Sequence, residues 1–214
     1  MNQTQGTRLF IVRHGETLWN RDGRQQGHLD SDLTERGIKQ AQCIADAFKN
    51  SPLDALYTSD LGRAMHTAQI VAQGIGRQPL PEKRLRERHL GIMQGMTIAD
   101  FKSQYPDLYA YFRSGDANYA IPGGESIRQK YDRSVACCLE LAGNHIGRSI
   151  LIVTHGGILD GLFRRALGLS LSQPRCFSLF NASINVFAIQ DHIWRLDTWG
   201  ETRHLGELKT MDDW

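Results

Sequence analysis

Two short runs stand where a ligand would meet a sheet in this 214-residue chain: Arg13-His14-Gly15-Glu16 and Thr154-His155-Gly156-Gly157. The first follows Leu9-Phe10-Ile11-Val12, and the second closes Ser149-Ile150-Leu151-Ile152-Val153. Both apolar runs read as buried strands. Each histidine therefore sits at a strand's carboxyl end, the edge at which open α/β sheets bind ligands. An imidazole beside a permanent cation points to phosphate chemistry. Two more pieces trail strand candidates: Ser59-Asp60-Leu61-Gly62-Arg63 and Arg86-Glu87-Arg88.

A transferring phosphoryl group spreads negative charge over its equatorial oxygens, which calls for cations. Arg13 and Arg63 offer planar, bidentate forks, and His155 a further donor. Gly156 and Gly157, opening a helix, leave room for backbone N–H groups that favour an anion. His14 can then attack phosphorus as a neutral imidazole and form a phosphohistidine. The neighbouring arginines favour the neutral ring. Its other nitrogen needs an anchor, either a backbone carbonyl or a hydroxyl, for which Ser59 is a candidate. Glu87 is the candidate acid for the leaving alkoxide, and afterwards the base for a hydrolytic water. Each signal alone has a plain reading: a structural strand-end histidine, a solvated Arg63, a surface ion pair at Glu87 worth little. Together they supply complementary parts of one reaction.

The elements needed to position these groups are legible as an alternation. A strand over Leu9–Val12 leads into a polar loop from Asn20 to Asp32, then a helix from about Thr34, its N-cap. A short strand at Ala55–Thr58 precedes a helix with Leu61, Ala64, Met65, Ala68, Val71, Ala72 and Ile75 on one face. Pro79–Glu82 reads as an edge strand. Ser126 caps a long helix, Ser149–Thr154 is the strongest strand, and a helix follows through Leu167. Phe177–Phe180 and Ser183–Ile189 read as two further strands. The pattern predicts a three-layer α/β/α domain with a central, mostly parallel sheet. It spans 1–214 as one domain, with residues 84–124 as an irregular or helical lid insertion.

Composition narrows the class. Twenty-five Lys and Arg against 23 Asp and Glu give a formal net charge of +2, too little to argue for nucleic acid or a membrane surface. Cys43, Cys137, Cys138 and Cys176 form no C-x-x-C and match no zinc spacing, so they read as reduced core thiols. No stretch approaches the roughly 20 apolar residues of a membrane span. Met1–Gly6 is polar and lacks a signal-peptide core. A cytoplasmic location is expected, with a small phosphorylated metabolite as partner, no nucleic acid, no membrane, no metal and no cofactor. The sequence assigns no oligomeric state.

Leu9-Phe10-Ile11-Val12-Arg13-His14-Gly15-Glu16-Thr17-Leu18-Trp19-Asn20 resembles the signature of the histidine phosphatase superfamily, phosphoglycerate mutase-like branch. The likeness continues through Leu33-Thr34-Glu35-Arg36-Gly37, Thr58-Ser59-Asp60-Leu61-Gly62-Arg63-Ala64, Glu87-Arg88-His89-Leu90-Gly91 and Gly123-Gly124-Glu125-Ser126 to Thr154-His155-Gly156-Gly157. The resemblance implies that His14 is the phosphorylated nucleophile, that Arg13, Arg63 and His155 form the phosphate pocket, and that Glu87 donates the proton. It also implies that Asn20 and Gln26 touch phosphate or substrate, and that no metal takes part.

The branch holds mutases and phosphatases. Mutases that this chain resembles have a Tyr where Leu90 stands, a lysine where Met96-Thr97 follows Gln94-Gly95, and a longer insert with an Arg-Arg pair. These departures favour a metal-independent phosphatase, a hydrolase of phosphoric monoesters. A cofactor-dependent phosphoglycerate mutase and a catalytically silent phosphate-binding module are the alternatives. Phe101, Tyr105, Tyr109, Tyr111, Phe112 and Tyr119 would form a wall or lid, giving the substrate an apolar part, or merely cover the sheet. His89 is the other histidine near Glu87, and the tail His204–Trp214 either folds over the site or lies loose.

Overall fold

A computed structural model describes residues 6–210. Six strands form one sheet in the order β3-β2-β4-β1-β5-β6. β1 (Thr7–Arg13), β2 (Ala55–Thr58), β3 (Pro79–Pro81) and β4 (Ser149–Thr154) pair in parallel, whereas β5 (Ile184–Gln190) and β6 (Ile193–Glu201) run antiparallel. β1 and β4 are central, so both faces are buried and their sequences are nearly continuous apolar runs. Alternate residues feed two cores. Leu9, Ile11, Ile150 and Ile152 pack with helices α6 (Ile127–Asn144) and α7 (Gly156–Leu167). Val12, Leu151 and Val153 pack with α2 (Glu35–Phe48) and α3 (Gly62–Ile75) on the other face. The result is the three-layer α/β/α arrangement.

Local signals set the helix starts. Thr34 accepts the Gly37 N–H and caps α2. Ser126 and Gln129 exchange hydrogen bonds as a capping box that starts α6. α3 differs, since Leu61 lends it no side-chain cap. Asp30 caps it from a distant loop instead, accepting from the N–H groups of Gly62 and Arg63.

Several expectations need correction. Phe177–Phe180 is irregular rather than a strand, and the last strand is β6, which pairs with β5 as a hairpin. Asp191 and His192 turn that hairpin with φ of 49° and 64°, a left-handed geometry that usually announces itself with Asn-Gly. The loop from Asn20 opens with the end of a short helix, α1 (Leu18–Arg21). Within residues 84–124 lie α4 (Ile98–Gln104) and α5 (Pro106–Arg113). Their aromatic residues neither cover the sheet nor mainly face the site. Tyr105, Tyr109, Phe112 and Tyr119 surround a small core of Leu90, Met93, Phe101 and Ile121. Of the thiols, Cys137 and Cys138 are buried, but Cys43 is half-buried and Cys176 exposed.

Of the tail, residues 204–210 pack rather than lie loose, while 211–214 fall outside the described residues, as do residues 1–5 of the polar amino terminus. Leu205 joins the α2–α3 core. Gln40 of α2 donates to the Leu208 carbonyl and the Thr210 hydroxyl. Among the described residues, no helix is long and apolar enough to cross a membrane.

The end of β1 is pressed against the first turn of α2 through two glycines. A Cβ on Gly15 would lie 3.0 Å from the Gly37 carbonyl carbon, and one on Gly37 would lie 2.9 Å from the Glu16 nitrogen. Backbone faces backbone there, so neither side can yield. Gly37→Ala should therefore destabilise the fold by about 1–3 kcal/mol, the usual cost of overpacking. Denaturant unfolding checks this, and an unchanged midpoint would show that the approach has slack.

Candidate active site

β1 and β4 pair in register, with Arg13 opposite Thr154. The next residue on each strand is a histidine, and the two rings lie 5.2 Å apart, edge to face. His14 Nδ1 is 2.8 Å from the Gly15 carbonyl oxygen. A carbonyl only accepts, so Nδ1 carries the hydrogen and Nε2 keeps its lone pair. Of the two anchors expected for His14, the carbonyl is the one present. The Ser59 hydroxyl instead meets His155 Nε2 at 2.8 Å. His155 and Ser59 are fully buried.

Both predicted arginines are buried, and each donates to carbonyl oxygens. Arg13 Nη1 donates to Leu179. Arg63 donates to the carbonyls of Leu29 and Gly27, and pairs with Asp30 at 2.8 Å. Arg63 is only 2% exposed, and its Nε has no hydrogen-bond partner within the protein. Asp30 thus caps α3 and fixes the guanidinium that α3 carries, a double duty that no sequence motif announced. Asn181, also missed, donates to the His14 carbonyl and to Asn20 Oδ1. Beside it Ala182 takes a left-handed φ of 57° and donates its N–H to the Arg13 carbonyl.

Glu87 comes from the loop after β3. Its Oε1 accepts the Arg88 N–H at 2.7 Å and its Oε2 the Gly157 N–H at 2.8 Å. The first turn of α7 therefore faces the Glu87 carboxylate with an N–H expected to await an anion. A Cβ on Gly157 would lie 2.9 Å from the Glu87 carboxyl carbon, so only glycine leaves the carboxylate in place. On the sheet side, Arg86 grips Asp60 bidentately at 2.6 and 2.7 Å, and Thr154 donates to the Leu85 carbonyl. His89 stacks edge to face on His28, whose Nε2 meets the Glu87 carbonyl.

These groups border one cavity of about 500 Å³. Arg13, His14, Arg63, Glu87 and Gly156 line it, together with Asn20 and Gln26. His155 and Ser59 stand behind that lining rather than in it. The rest of the lining is rich in cations: Arg24, Arg88, Arg113, Lys130, Arg164 and Arg175 border it, with Asp160, ion-paired to Arg164, as the acid among them. Phe112 is the aromatic ring in the lining, which corrects the expectation of an aromatic wall. The cations come from α5, α6, α7 and the loops at 24, 88 and 175, elements far apart in sequence. Among the described residues, no three His, Cys, Asp or Glu side chains cluster as metal ligands would.

The profile of the histidine phosphatase superfamily (branch 1) matches residues 9–202. Among curated proteins, phosphoglycerate mutase-like protein 4 of Arabidopsis thaliana is 39% identical, the match covering 93% of this chain and 87% of that protein. The metal-independent phosphoserine phosphatase of the same plant is 38% identical, over 96% and 86%. Among solved structures, Bacillus stearothermophilus YhfR superposes with a TM-score of 0.86 at 31% identity, covering 93% of this chain and 99% of that one. A mycobacterial glucosyl-3-phosphoglycerate phosphatase does so with 0.81 at 33%, covering 91% and 99%.

Burial, then Arg63 and Arg13, push the His14 imidazole well below its ordinary value, against the pull of the Gly15 carbonyl. Burial, Arg63, His14 and Arg13 do the same to His155. The folded protein thus keeps both rings neutral at a pH where an unfolded chain protonates them. Stability rises with pH, and so falls on acidification, wherever the unfolded state binds more protons. It should decline as pH drops below 6.5, the ordinary histidine value, and level off only where the folded rings protonate. Above that pH the pair adds no slope. Denaturant unfolding between about pH 7.5 and about pH 5 should show a shallower decline in His14→Asn. Identical slopes would mean that the ring titrates normally in the fold.

Proposed function

The chain belongs to branch 1 of the histidine phosphatase superfamily and is a phosphatase, and from that premise we propose that it hydrolyses small phosphomonoesters through a phosphohistidine on His14. The observation that carries the reading is the His14 ring: its Nδ1 is committed to a carbonyl, and it stands among two guanidiniums and a second imidazole. Nε2 attacks phosphorus while the P–O ester bond breaks, and Glu87 gives its proton to the departing alkoxide. Glu87, now a carboxylate, takes a proton from water as the water oxygen attacks phosphorus. The P–N bond then breaks, free phosphate departs, and the neutral ring and the carboxylic acid are restored. Arg13 and Arg63 clamp the equatorial oxygens, an arrangement that stabilises the spread charge of the transition state. His155 assists, oriented by Ser59. Asn20, Gln26 and Gly156 border the transferring group. No metal is required in this sequence of steps.

The cationic outer wall supports a finer reading of the substrate. A phosphate dianion is answered by Arg13 and Arg63, which leaves further positive charge along the cavity. A second negative group on the substrate, carboxylate or phosphate, fits that wall better than a bare sugar or aromatic ring. Two relatives carry names that denote such compounds, phosphoserine and glucosyl-3-phosphoglycerate phosphatases. The same wall favours a second reading, a phosphoglycerate mutase, because a mutase must bind a highly anionic acceptor.

Three expected outcomes follow from this reading. Rapid quench with labelled substrate should trap acid-labile, base-stable label that His14→Ala loses; full activity in that variant would sink the mechanism. Glu87→Gln should slow alkyl phosphates far more than an activated aryl phosphate, by a share of the roughly 10²–10⁴-fold that general acid catalysis supplies. 3-Phosphoglycerate should have a higher kcat/KM than glycerol 3-phosphate, its neutral counterpart at the far end. A panel run with and without 2,3-bisphosphoglycerate, scoring free phosphate against isomerised product, separates phosphatase from mutase.

A further inference from the structure

The Gly123-Gly124-Glu125-Ser126 segment and two cations of α6 have no part in the steps above. Arg133 uses its whole guanidinium. Nε and Nη2 bind the Glu125 carboxylate at 2.7 and 2.9 Å, Nη1 donates to the carbonyls of Arg84 and Arg86, and Nη2 also donates to the carbonyl of Glu87. One side chain thus fastens three carbonyls of the loop that carries Glu87. The carboxylate that steadies it lies immediately before the α6 cap. Arg88 adds the opposite grip, donating from Nε to the Glu125 carbonyl.

Three residues earlier on α6, and so on the same face, stands Lys130. It is 3% exposed, and its Nζ donates to the Gly157 carbonyl. Gly157 is the residue whose N–H holds Glu87 Oε2. A lysine is a poor structural choice at this spot. Burial disfavours its charge, and the amino-terminal end of α7 is already the positive end of a helix dipole. Asp160 and Glu87 attract it, yet an apolar side chain would fill the space with no charge to desolvate.

We propose that Lys130 and Arg133 form a two-point bracket that aims Glu87, Arg133 fixing its main chain through Glu125 and Lys130 fixing the Gly157 that holds its carboxylate. Both are positioning residues, and neither touches the reacting atoms. The inference rests on Glu87 being the general acid. Its signature is a leaving-group effect, because a misaimed acid matters only where the departing oxygen needs a proton, and misplacement by about 1 Å can cost on the order of 10²-fold.

The test compares kcat/KM on glycerol 3-phosphate, an alkyl phosphate with no second anion for the cationic wall, with that on p-nitrophenyl phosphate in Lys130→Met, Arg133→Lys and Glu125→Gln. Lys130→Met nearly keeps the volume, removing the buried charge and its bond to the Gly157 carbonyl, a change of the kind buried sites often tolerate. The aryl-to-alkyl ratio should rise on the order of tenfold in each folded variant, part of what general acid catalysis contributes. In a Glu87→Gln background the same changes should raise the ratio no further. Equal losses on both substrates would overturn the bracket, and so would a rise that persists without Glu87. If Arg133→Lys does not fold, Lys130→Met and Glu125→Gln still decide the matter. A flat ratio in Glu87→Gln itself would refute the acid assignment, a result distinct from a flat ratio confined to the α6 variants.

Discussion

Arg13 faces Thr154 across two parallel strands, and the site depends on that single register. Shifting the pairing by one residue would turn every side chain of β1 to the opposite face, exchanging Ile11 and Val12 between the two cores. The register is therefore held by burial on both sides of the sheet, and it brings two imidazoles within 5.2 Å of each other as a by-product. The glycine contact between β1 and α2 closes the amino-terminal side of this corner. Asn181 and Ala182 close the other, tied to the carbonyls of His14 and Arg13.

Around that corner the site divides into two differently built halves. The half proposed to take phosphate hangs on strand ends and on α3, its guanidiniums donating to the carbonyls of Leu179, Leu29 and Gly27. Those carbonyls take part of the donors without adding negative charge. Asp30 adds an acid to Arg63, and it is partly exposed, which weakens its neutralising effect. The half that carries Glu87, the proposed proton donor, hangs on α6 and α7. Its loop is stitched to the sheet by Arg86 and Asp60 and to α6 by Arg133. Precision in the first half comes from sheet register, and in the second from a polar network of side chains reaching main-chain atoms.

The sequence disclosed the first half far better than the second, for physical reasons. Strand-end Arg-His-Gly and Thr-His-Gly are local, and the apolar runs before them specify buried strands with little ambiguity. The helix faces of α2, α3 and α6 were equally plain, because a 3.6-residue period survives without tertiary context. The β6 hairpin was hidden because Asp191-His192 carries no glycine at a turn that wants one. Asp30 and Arg133 were hidden for another reason: each acts across more than thirty residues of chain, and a lone charged residue reads as solvated. The tyrosines of 101–119 misled, since aromatic composition alone does not tell a wall from a small separate core. The cationic wall was missed because its members are scattered over α5, α6, α7 and three loops.

The carbonyl-held guanidiniums have a consequence for what leaves the site. On the proposed mechanism, a cradle of two fixed guanidiniums would bind free phosphate as it binds the ester's phosphoryl group, and nothing in it would need the carbon chain. Departure of the product would then compete with hydrolysis for control of turnover, and phosphate in solution would become an inhibitor as well as a product. Ionic strength acts on the outer wall in the opposite sense for speed. At physiological salt, where fields fade within about 8 Å, the exposed Arg24 and Arg113 draw anions only at close range, while the buried cradle holds them unscreened.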